Sequence, residues 1–285
     1  MMKTIAVLLV LAQLLGLGYW HYNGQQNNRV GLTQYEVSDP KIPEGMDGYR
    51  MMVISDYHNA GYPDQICELI RESGPDCIIF LGDMVQLPYT DPQTDIAYLL
   101  YILDEVADRI PTYFVSGNHE SGSAEYYDLY CAMEQHGAVF MDDRQTQLWK
   151  NDASVQLIGL MDPGADALRE RDTRRMRDTV EQLAAACPDA YRIVLCHRST
   201  AFPTLKDTSA DLVLAGHLHG GLVRLPVLGG IFGKDGDEYF PKYDAGMFRE
   251  SGTTMIVSRG CDKNPKKVRV NNPPELLLVT LRRGE

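Results

Sequence analysis

The chain has 285 residues, of which 44% are hydrophobic and 23% are charged. This length suffices for one large domain or two small ones, and the composition excludes a disordered or fibrous protein. The 39 acidic and 27 basic side chains give a formal net charge of −12. Such an acidic balance argues against binding of long nucleic acid, and it would repel an anionic substrate unless a component outside the chain supplies positive charge.

An apolar N-terminal segment follows Lys3 and leads into Tyr19, Trp20 and Tyr22. This pattern is typical of an uncleaved membrane anchor, predicted over residues 1–22. A cleaved signal peptide, which would release a secreted form, and a buried helix are the alternatives. The basic residue before the apolar segment favours an extracytoplasmic position for the rest of the chain.

The remaining chain shows no internal repeat and no low-complexity linker. Residues 23–29 are polar and turn-prone, so they predict a short tether. We expect a single domain over residues 30–285. The six cysteines form no CxxC pair and no zinc-ribbon spacing, and Cys77 and Cys196 lie in apolar segments that favour burial.

Buried-strand patterns alternate with amphipathic helical patterns through this domain. Strands are predicted at residues 50–55, 77–81, 112–115, 145–150, 155–160, 193–196, 212–215, 254–258 and 276–281. Helices are predicted at residues 64–73, 96–109, 124–136 and 173–186. The alternation predicts parallel βαβ units, and the later strands add a mixed portion. We therefore expect a layered α/β domain with two sheets and with functional groups after the carboxyl ends of its strands.

Metal-capable side chains follow nearly every predicted strand. They are Asp56 and His58, then Asp83, then Asn118, His119 and Glu120, then His197, and finally His217 and His219. Five of the seven histidines are in this set. In an Asp-x-His or His-x-His triplet, the first and third side chains can point to the same side. These oxygen and nitrogen ligands suit Mn, Fe or Zn, and they are numerous enough for two ions that share a carboxylate.

The ordered motifs Asp-x-His, Gly-Asp, Gly-Asn-His-Glu, His and Gly-His-x-His resemble the calcineurin-like metallophosphoesterase superfamily. Further similarity, to its bacterial, membrane-anchored YkuE-like branch, lies in residues 42–45, in residues 216–221 and in the tail over residues 258–275. The resemblance extends from about Lys41 to the C-terminus. It implies an α/β fold, a four-layer αββα sandwich with two mixed β-sheets.

The resemblance also implies a role for each motif residue. One ion would be held by Asp56, His58, Asp83 and His219. A second ion would be held by Asp83, Asn118, His197 and His217, so that Asp83 bridges the two. A metal-bridging hydroxide would be the nucleophile, His119 would be the general acid, and both Asn118 and His119 would contact the substrate phosphate. Glu120 would orient His119, or it would cap the following turn.

Two further features leave alternatives open. Arg198 and Leu222 depart from the pattern of the branch, and Arg198 is predicted either as a phosphate clamp in substrate binding or as a solvated surface residue. Residues 226–251 form a long predicted loop with several aromatic side chains, which would be a binding wall or a self-packed segment. His136 precedes Gly137, so we interpret it as a residue at a helix end.

The leading hypothesis is a dinuclear-metal-dependent phosphoester hydrolase that acts on a small mono- or diester. A catalytically inactive metal-binding interaction module on the same scaffold is the alternative from another class. A sugar-nucleotide lipid pyrophosphatase is a third possibility, but it needs an active site on the cytoplasmic face, which Lys3 does not favour. The choice of metal and the oligomeric state stay open at this point.

Overall fold

The computed structural model describes residues 2–86, 96–164, 168–233, 239–263 and 268–284. The helices are α1 (Met2–Gln26), α2 (Pro63–Ser73), α3 (Ala97–Val106), α4 (Asn118–Ser121), α5 (Tyr126–Gln135), α6 (Glu170–Ala184) and α7 (Phe202–Leu205). The strands are β1 (Gly31–Asp39), β2 (Arg50–Ile54), β3 (Cys77–Leu81), β4 (Thr112–Val115), β5 (Ala138–Phe140), β6 (Arg144–Lys150), β7 (Ala153–Gly159), β8 (Arg192–Arg198), β9 (Leu212–Gly216), β10 (Arg224–Leu225), β11 (Gly229–Gly230), β12 (Gly246–Glu250), β13 (Thr253–Val257) and β14 (Glu275–Arg283).

Two six-stranded sheets form the centre of the fold, in the orders β1-β14-β2-β3-β4-β5 and β12-β13-β9-β8-β7-β6. In the first sheet β2 to β5 run parallel, whereas β14 is antiparallel to β2. In the second sheet β13, β9, β8 and β7 run parallel, with antiparallel β12 and β6 at the edges. Both sheets are therefore mixed, as predicted.

The hydrophobic core consists of three layers, and β3 contributes side chains to two of them. Its Ile79 and Leu81 pack between the two sheets, whereas its Ile78 and Phe80 pack against helices on the outer face. A third cluster, which includes Met176 of α6, covers the outer face of the second sheet. A strand that is buried on both faces needs an uninterrupted apolar sequence, which is the pattern that predicted it. The layers confirm the expected αββα order.

Three strands that pair into the two sheets were not predicted. β1 has one buried side chain, Val37, and β5 has only three residues. β12 lies inside the segment predicted as a loop over residues 226–251 and alternates between half-buried and exposed side chains. Strands at sheet edges lack the strong apolar signal of central strands, so the sequence pattern missed them. The loop prediction is corrected to the β10–β11 hairpin followed by β12, with residues 234–238 outside the described part of the chain.

Helix α1 is long and apolar enough to cross a membrane by its length and composition. Its apolar side chains are exposed, which contradicts the buried-helix alternative. The helix continues to Gln26, so four residues of the predicted tether are helical. Asn23 at this end is buried, and its Nδ2 donates to Arg269 O at 2.7 Å.

The six cysteines are separate thiols, and Cys77 and Cys196 are buried as predicted.

Replacing Ile79 with alanine should lower the free energy of unfolding by about 2–5 kcal/mol, because a cavity would remain between the sheets. Val139→Ala on the edge strand β5 is the control, since this side chain is half exposed and its loss should change the stability by less than about 0.5 kcal/mol. Denaturant unfolding of the full chain in detergent, followed by circular dichroism, measures both. Equal losses would contradict this position of the core.

Candidate metal centre

The carboxyl ends of five strands bring the predicted side chains together. β2, β3 and β4 of the first sheet and β8 and β9 of the second end at the same edge of the sandwich. Three groups have ligand atoms within 4.8 Å of one another, namely Asp56 with His58 and His219, His58 with Asp83 and His119, and Asp83 with His197 and His217. Neighbouring groups share a residue, so they form one continuous cluster across both sheets.

The backbone of this cluster is strained. Five of the predicted ligands have positive φ, which are Asp56 at 50°, His58 at 48°, Asp83 at 52°, His217 at 78° and His219 at 48°. Side chains other than glycine rarely adopt this conformation, and such strain concentrates at functional sites. It allows residues of adjacent loops to turn their side chains into one small volume.

Two glycines make room for the carboxylates. A Cβ at Gly117 would collide with the carboxylate and backbone nitrogen of Asp83, and a Cβ at Gly216 would lie 2.6 Å from Asp56 Oδ2. The close approach of two loops therefore needs glycine at both positions. These are two of the three motif glycines that precede the predicted ligands.

The imidazoles of two predicted ligands, His58 and His197, are oriented by contacts with backbone carbonyls outside the cluster. Nδ1 of His58 lies 3.0 Å from Val85 O, and Nδ1 of His197 lies 2.9 Å from Leu81 O. A carbonyl can only accept a hydrogen bond, so Nδ1 carries the proton in the neutral ring. The Nε2 lone pair of each ring is then available to a cation, which is the usual arrangement at metal sites.

Buried polar atoms in the first group fit a cation. Asp56 Oδ1, His58 Nε2 and His219 Nε2 are buried and make no hydrogen bond within the described part of the chain. Asp56 Oδ1 lies 3.6 Å from His219 Nε2. Buried polar groups are normally paired, and a metal ion between these atoms would satisfy all three. The residues present therefore fit a metal ion at this position.

Asp83 lies between the first and the last ligand group. Its Oδ2 is 3.3 Å from His197 Nε2 and 3.9 Å from His58 Nε2. On the far side, His217 Nδ1 is 3.2 Å from His197 Nε2. Asn118, the first residue of α4, immediately follows Gly117 at the same strand end. The position of Asp83 between the two groups suits a carboxylate shared by two cations. The ligand role of Asn118 stays a prediction.

Burial and neighbouring charges shift the pKa values of the cluster in opposite directions. Burial would raise the pKa of Asp83, but His197 and His58 hold it well below its ordinary value. Burial lowers the pKa of His58 to about 3. Burial also disfavours the charged form of His197, but Asp83 outweighs it and raises the pKa of His197 to about 9. Without a cation, a proton on His197 therefore balances the buried carboxylate.

His119 differs from the other histidines of the cluster in its exposure. Its side chain is 14% exposed, whereas those of His58, His197 and His219 are at most 4% exposed. Its ring makes an edge contact with that of His58 at a centroid distance of 4.7 Å. His119 is therefore the most accessible to solvent of these four imidazoles.

Glu120 is buried and holds the backbone of two loops. Its Oε2 accepts hydrogen bonds from the backbone nitrogens of Asp83 at 2.8 Å and Gly117 at 2.7 Å. Its Oε1 accepts from Met84 N at 2.7 Å and Val85 N at 3.1 Å. With both oxygens engaged in this way, the contacts favour the capping interpretation over orientation of His119 or a direct catalytic role.

Arg198 has neither of its two expected positions. Its side chain is 2% exposed, which contradicts the solvated-surface alternative. Its guanidinium donates to both oxygens of Asp162, from Nε at 2.7 Å and from Nη2 at 3.1 Å. A guanidinium that is buried against a carboxylate is unsuited to clamp a substrate phosphate, so we do not retain the substrate-binding role.

Asp262 is a functional candidate that the sequence reasoning missed. Its Oδ1 lies 3.3 Å from Nδ1 of His219, and Arg269 forms an ion pair with the same carboxylate. Burial would raise the pKa of Asp262, but His219 and Arg269 hold it well below its ordinary value. Like the other motif residues, it follows a strand, here β13, and that position is the signal that could have found it.

Asp262→Asn should weaken Mn²⁺ binding by about 10–100-fold, because the carboxylate that faces His219 would lose its charge. Asp211→Asn is the control, since this carboxylate pairs with Lys41 at 2.8 Å and precedes β9 at the opposite edge of the sheet. Isothermal titration calorimetry measures both affinities. An Asp262→Asn affinity equal to that of the unchanged protein would refute the role of Asp262.

Binding of Mn²⁺ at pH 7 should release about one proton from the protein. His197, with a pKa raised to about 9, is protonated at this pH before the metal binds, and it must lose that proton to become a ligand. His58, with a pKa lowered to about 3, has none to lose. Calorimetric titrations in two buffers of different ionisation enthalpy measure the number, and identical enthalpies in both would contradict it.

Comparisons with known proteins agree with this geometry. The family model of the calcineurin-like phosphoesterases matches residues 49–221. The uncharacterized metallophosphoesterase YkuE of Bacillus subtilis is 26% identical over 94% of this chain and 91% of that protein. Phosphodiesterase YaeI of Escherichia coli is 23% identical over 97% of this chain and 96% of that protein. A transmembrane protein with a metallophosphoesterase domain from Danio rerio is 25% identical over 99% of this chain but only 63% of that protein.

The matched region of the family model covers more than half of the chain and contains all seven predicted metal ligands. The chain therefore belongs to the calcineurin-like phosphoesterase family, which confirms the resemblance seen in the motifs and makes the protein a phosphoester hydrolase.

Proposed function

We propose that the protein hydrolyses a small phosphoester with the help of two divalent metal ions. The observation that carries this proposal is the position of Asp83 between two ligand groups, one around Asp56 and one around His197. A shared carboxylate is the usual means of holding two cations close together. Mn, Fe and Zn all suit the set of oxygen and nitrogen ligands.

The proposed ligands keep the roles that the motifs predict. Asp56, His58, Asp83 and His219 would hold one ion, and Asp83, Asn118, His197 and His217 would hold the other. Such a pair would supply positive charge at the phosphoryl group and would lower the pKa of a bound water molecule. The protein's own contribution is to orient the imidazoles through Val85 O, Leu81 O and Asp262.

His119 is the proposed general acid. Its side chain is more exposed than those of His58, His197 and His219. The ring contacts that of His58, and its Nε2 lies 3.9 Å from Asp83 Oδ2. From that position it would donate a proton to the leaving oxygen of a substrate phosphate bound at the cluster. Asn118 begins the same short helix, so it would contact the phosphate together with His119.

We also propose that α1 anchors the protein in a membrane with the metallophosphoesterase domain, residues 30–285, outside the cytoplasm. The exposed apolar surface of α1 and the single Lys3 at its N-terminal end support this orientation. The similarity to the Danio rerio transmembrane protein agrees with an anchored form.

Hydrolysis of bis(p-nitrophenyl) phosphate and p-nitrophenyl phosphate by the full chain, with and without Mn²⁺, tests the proposal. We expect turnover that depends on Mn²⁺ and is abolished by a chelator. Asp83→Ala should lose both metal and activity, because this carboxylate would serve both ions. Metal binding without any turnover would instead favour the inactive interaction module.

His119→Ala should keep the bound metal and lose about 10²–10⁴-fold in kcat, since general acid catalysis contributes that much. His136→Ala is the matched control, because His136 is a partly exposed histidine at the end of α5, away from the cluster, that pairs with Asp104 at 2.5 Å. Its activity should stay unchanged. A His119→Ala protein with full activity would refute the assignment.

A further inference from the structure

The β10–β11 hairpin exposes an uninterrupted apolar sequence. Residues 225–231 read Leu-Pro-Val-Leu-Gly-Gly-Ile and contain no polar side chain. Val227 is fully exposed, Leu228 is 63% exposed and Leu225 is 39% exposed. Consecutive apolar side chains are rarely left in water unless they bind something. We propose that the tip of this hairpin, residues 225–228, is a second membrane contact, which enters the lipid bilayer beside α1.

The backbone of the hairpin tip does not favour the residue that occupies its centre. Three residues connect Leu225 to Gly229, and the middle one, Val227, has a φ of 72°. Turn positions with positive φ normally take Gly, Asn or Asp, and a β-branched side chain is an outlier there. A polar residue or glycine would suit the turn better, so the valine meets a requirement outside the turn itself.

The side chain of Asn271 places the base of the hairpin at the level of the aromatic end of α1. Its Oδ1 accepts a hydrogen bond from Tyr19 Oη at 2.8 Å, and its Nδ2 donates to Arg224 O at 3.3 Å. Tyr and Trp side chains prefer the interface between bilayer and water. Insertion of α1 as far as Tyr19 therefore brings Arg224 to that interface, with the apolar tip next to the lipid.

Residues 269–271 form hydrogen bonds with both the end of α1 and the start of the hairpin, so this short segment connects the two apolar surfaces. Asn23 of α1 and Asn27, which directly follows the helix, each donate from Nδ2 to Arg269 O at 2.7 Å. Arg224 N at the start of the hairpin donates to Val270 O at 2.9 Å. This connection to α1 points to a lipid bilayer as the occupant, because α1 would already lie in it. The inference rests on the proposed membrane insertion of α1.

The hairpin also packs directly on the turn that carries His219. A Cβ at Gly221 would lie 2.5 Å from Gly230 Cα, so the two backbones are in contact through glycines. Residues that bind the membrane and residues that bind the metal are therefore parts of one packed unit. The membrane contact would hold the metal centre beside the bilayer surface.

Tryptophan quenching in the reconstituted full chain tests this inference. The protein has two tryptophans, Trp20 on α1 and Trp149 on β6. Replacing both with phenylalanine and adding Val227→Trp gives a single reporter at the tip. In phosphatidylcholine vesicles with brominated acyl chains, this reporter should be quenched at least about twofold, because an apolar group held at the interface reaches the acyl boundary.

The matched control is the Trp20→Phe protein, in which Trp149 is the single reporter. Trp149 is 63% exposed, as Leu228 is, but it precedes Lys150, which pairs with Asp76 just before β3, at the edge opposite the metal centre. It should be quenched by less than about a tenth, since it stays in water. Leu228→Trp provides a second tip reporter at a position where φ is not positive.

Flotation of the same vesicles separates the two proposals. Protein that floats with the vesicles and shows no quenching of either tip reporter would overturn the hairpin contact and leave the α1 anchor intact. Protein that does not float would overturn both. The final comparison adds Val227→Asp to the Leu228→Trp reporter protein. A reduction of the quenching by at least half would support the hairpin contact, and unchanged quenching would refute it.

Discussion

Burial of the carboxylates of Asp56 and Asp83 where the two sheets meet is the constraint on which the rest of the structure depends. A buried anion is unstable unless hydrogen-bond donors or opposite charges surround it. Backbone nitrogens of the adjacent loops provide part of this, with His217 N 3.0 Å from Asp56 Oδ2 and His119 N 2.9 Å from Asp83 Oδ1. The other oxygens lie among imidazole nitrogens, so divalent cations would supply charge that this acidic chain lacks.

The surrounding loops are arranged to hold that cluster against strain. Positive φ at five predicted ligands is unfavourable in isolation, by about 1–3 kcal/mol each. The buried carboxylate of Glu120 compensates by accepting four backbone hydrogen bonds from two loops, and the glycines at 117 and 216 remove collisions. Glu120 and Asp262 therefore support the site through the residues they hold.

One edge of the sandwich carries both the metal-ligand cluster and the end of α1, and the opposite edge carries ion pairs. Arg269 connects the cluster to the end of α1, because its backbone carbonyl accepts hydrogen bonds from Asn23 and Asn27 while its side chain pairs with Asp262 behind His219. At the other edge, Lys150 pairs with Asp76 and Lys41 pairs with Asp211. In the proposed orientation, the metal-ligand cluster would face the bilayer and these ion pairs would face water.

The sequence patterns determined the central strands, the presence of two sheets and the motif residues, because β3 and its neighbours are buried on both faces and are followed by potential ligands. The four-layer order was implied by the family resemblance of those motifs. The sequence patterns did not reveal the edge strands β1, β5 and β12, whose half-exposed patterns carry a weak apolar signal. Tertiary structure alone decided that Arg198 faces Asp162, that Asp262 faces His219 and that the hairpin adjoins α1. These contacts join residues distant in the chain, and no local pattern encodes which partner a charged or exposed side chain will meet.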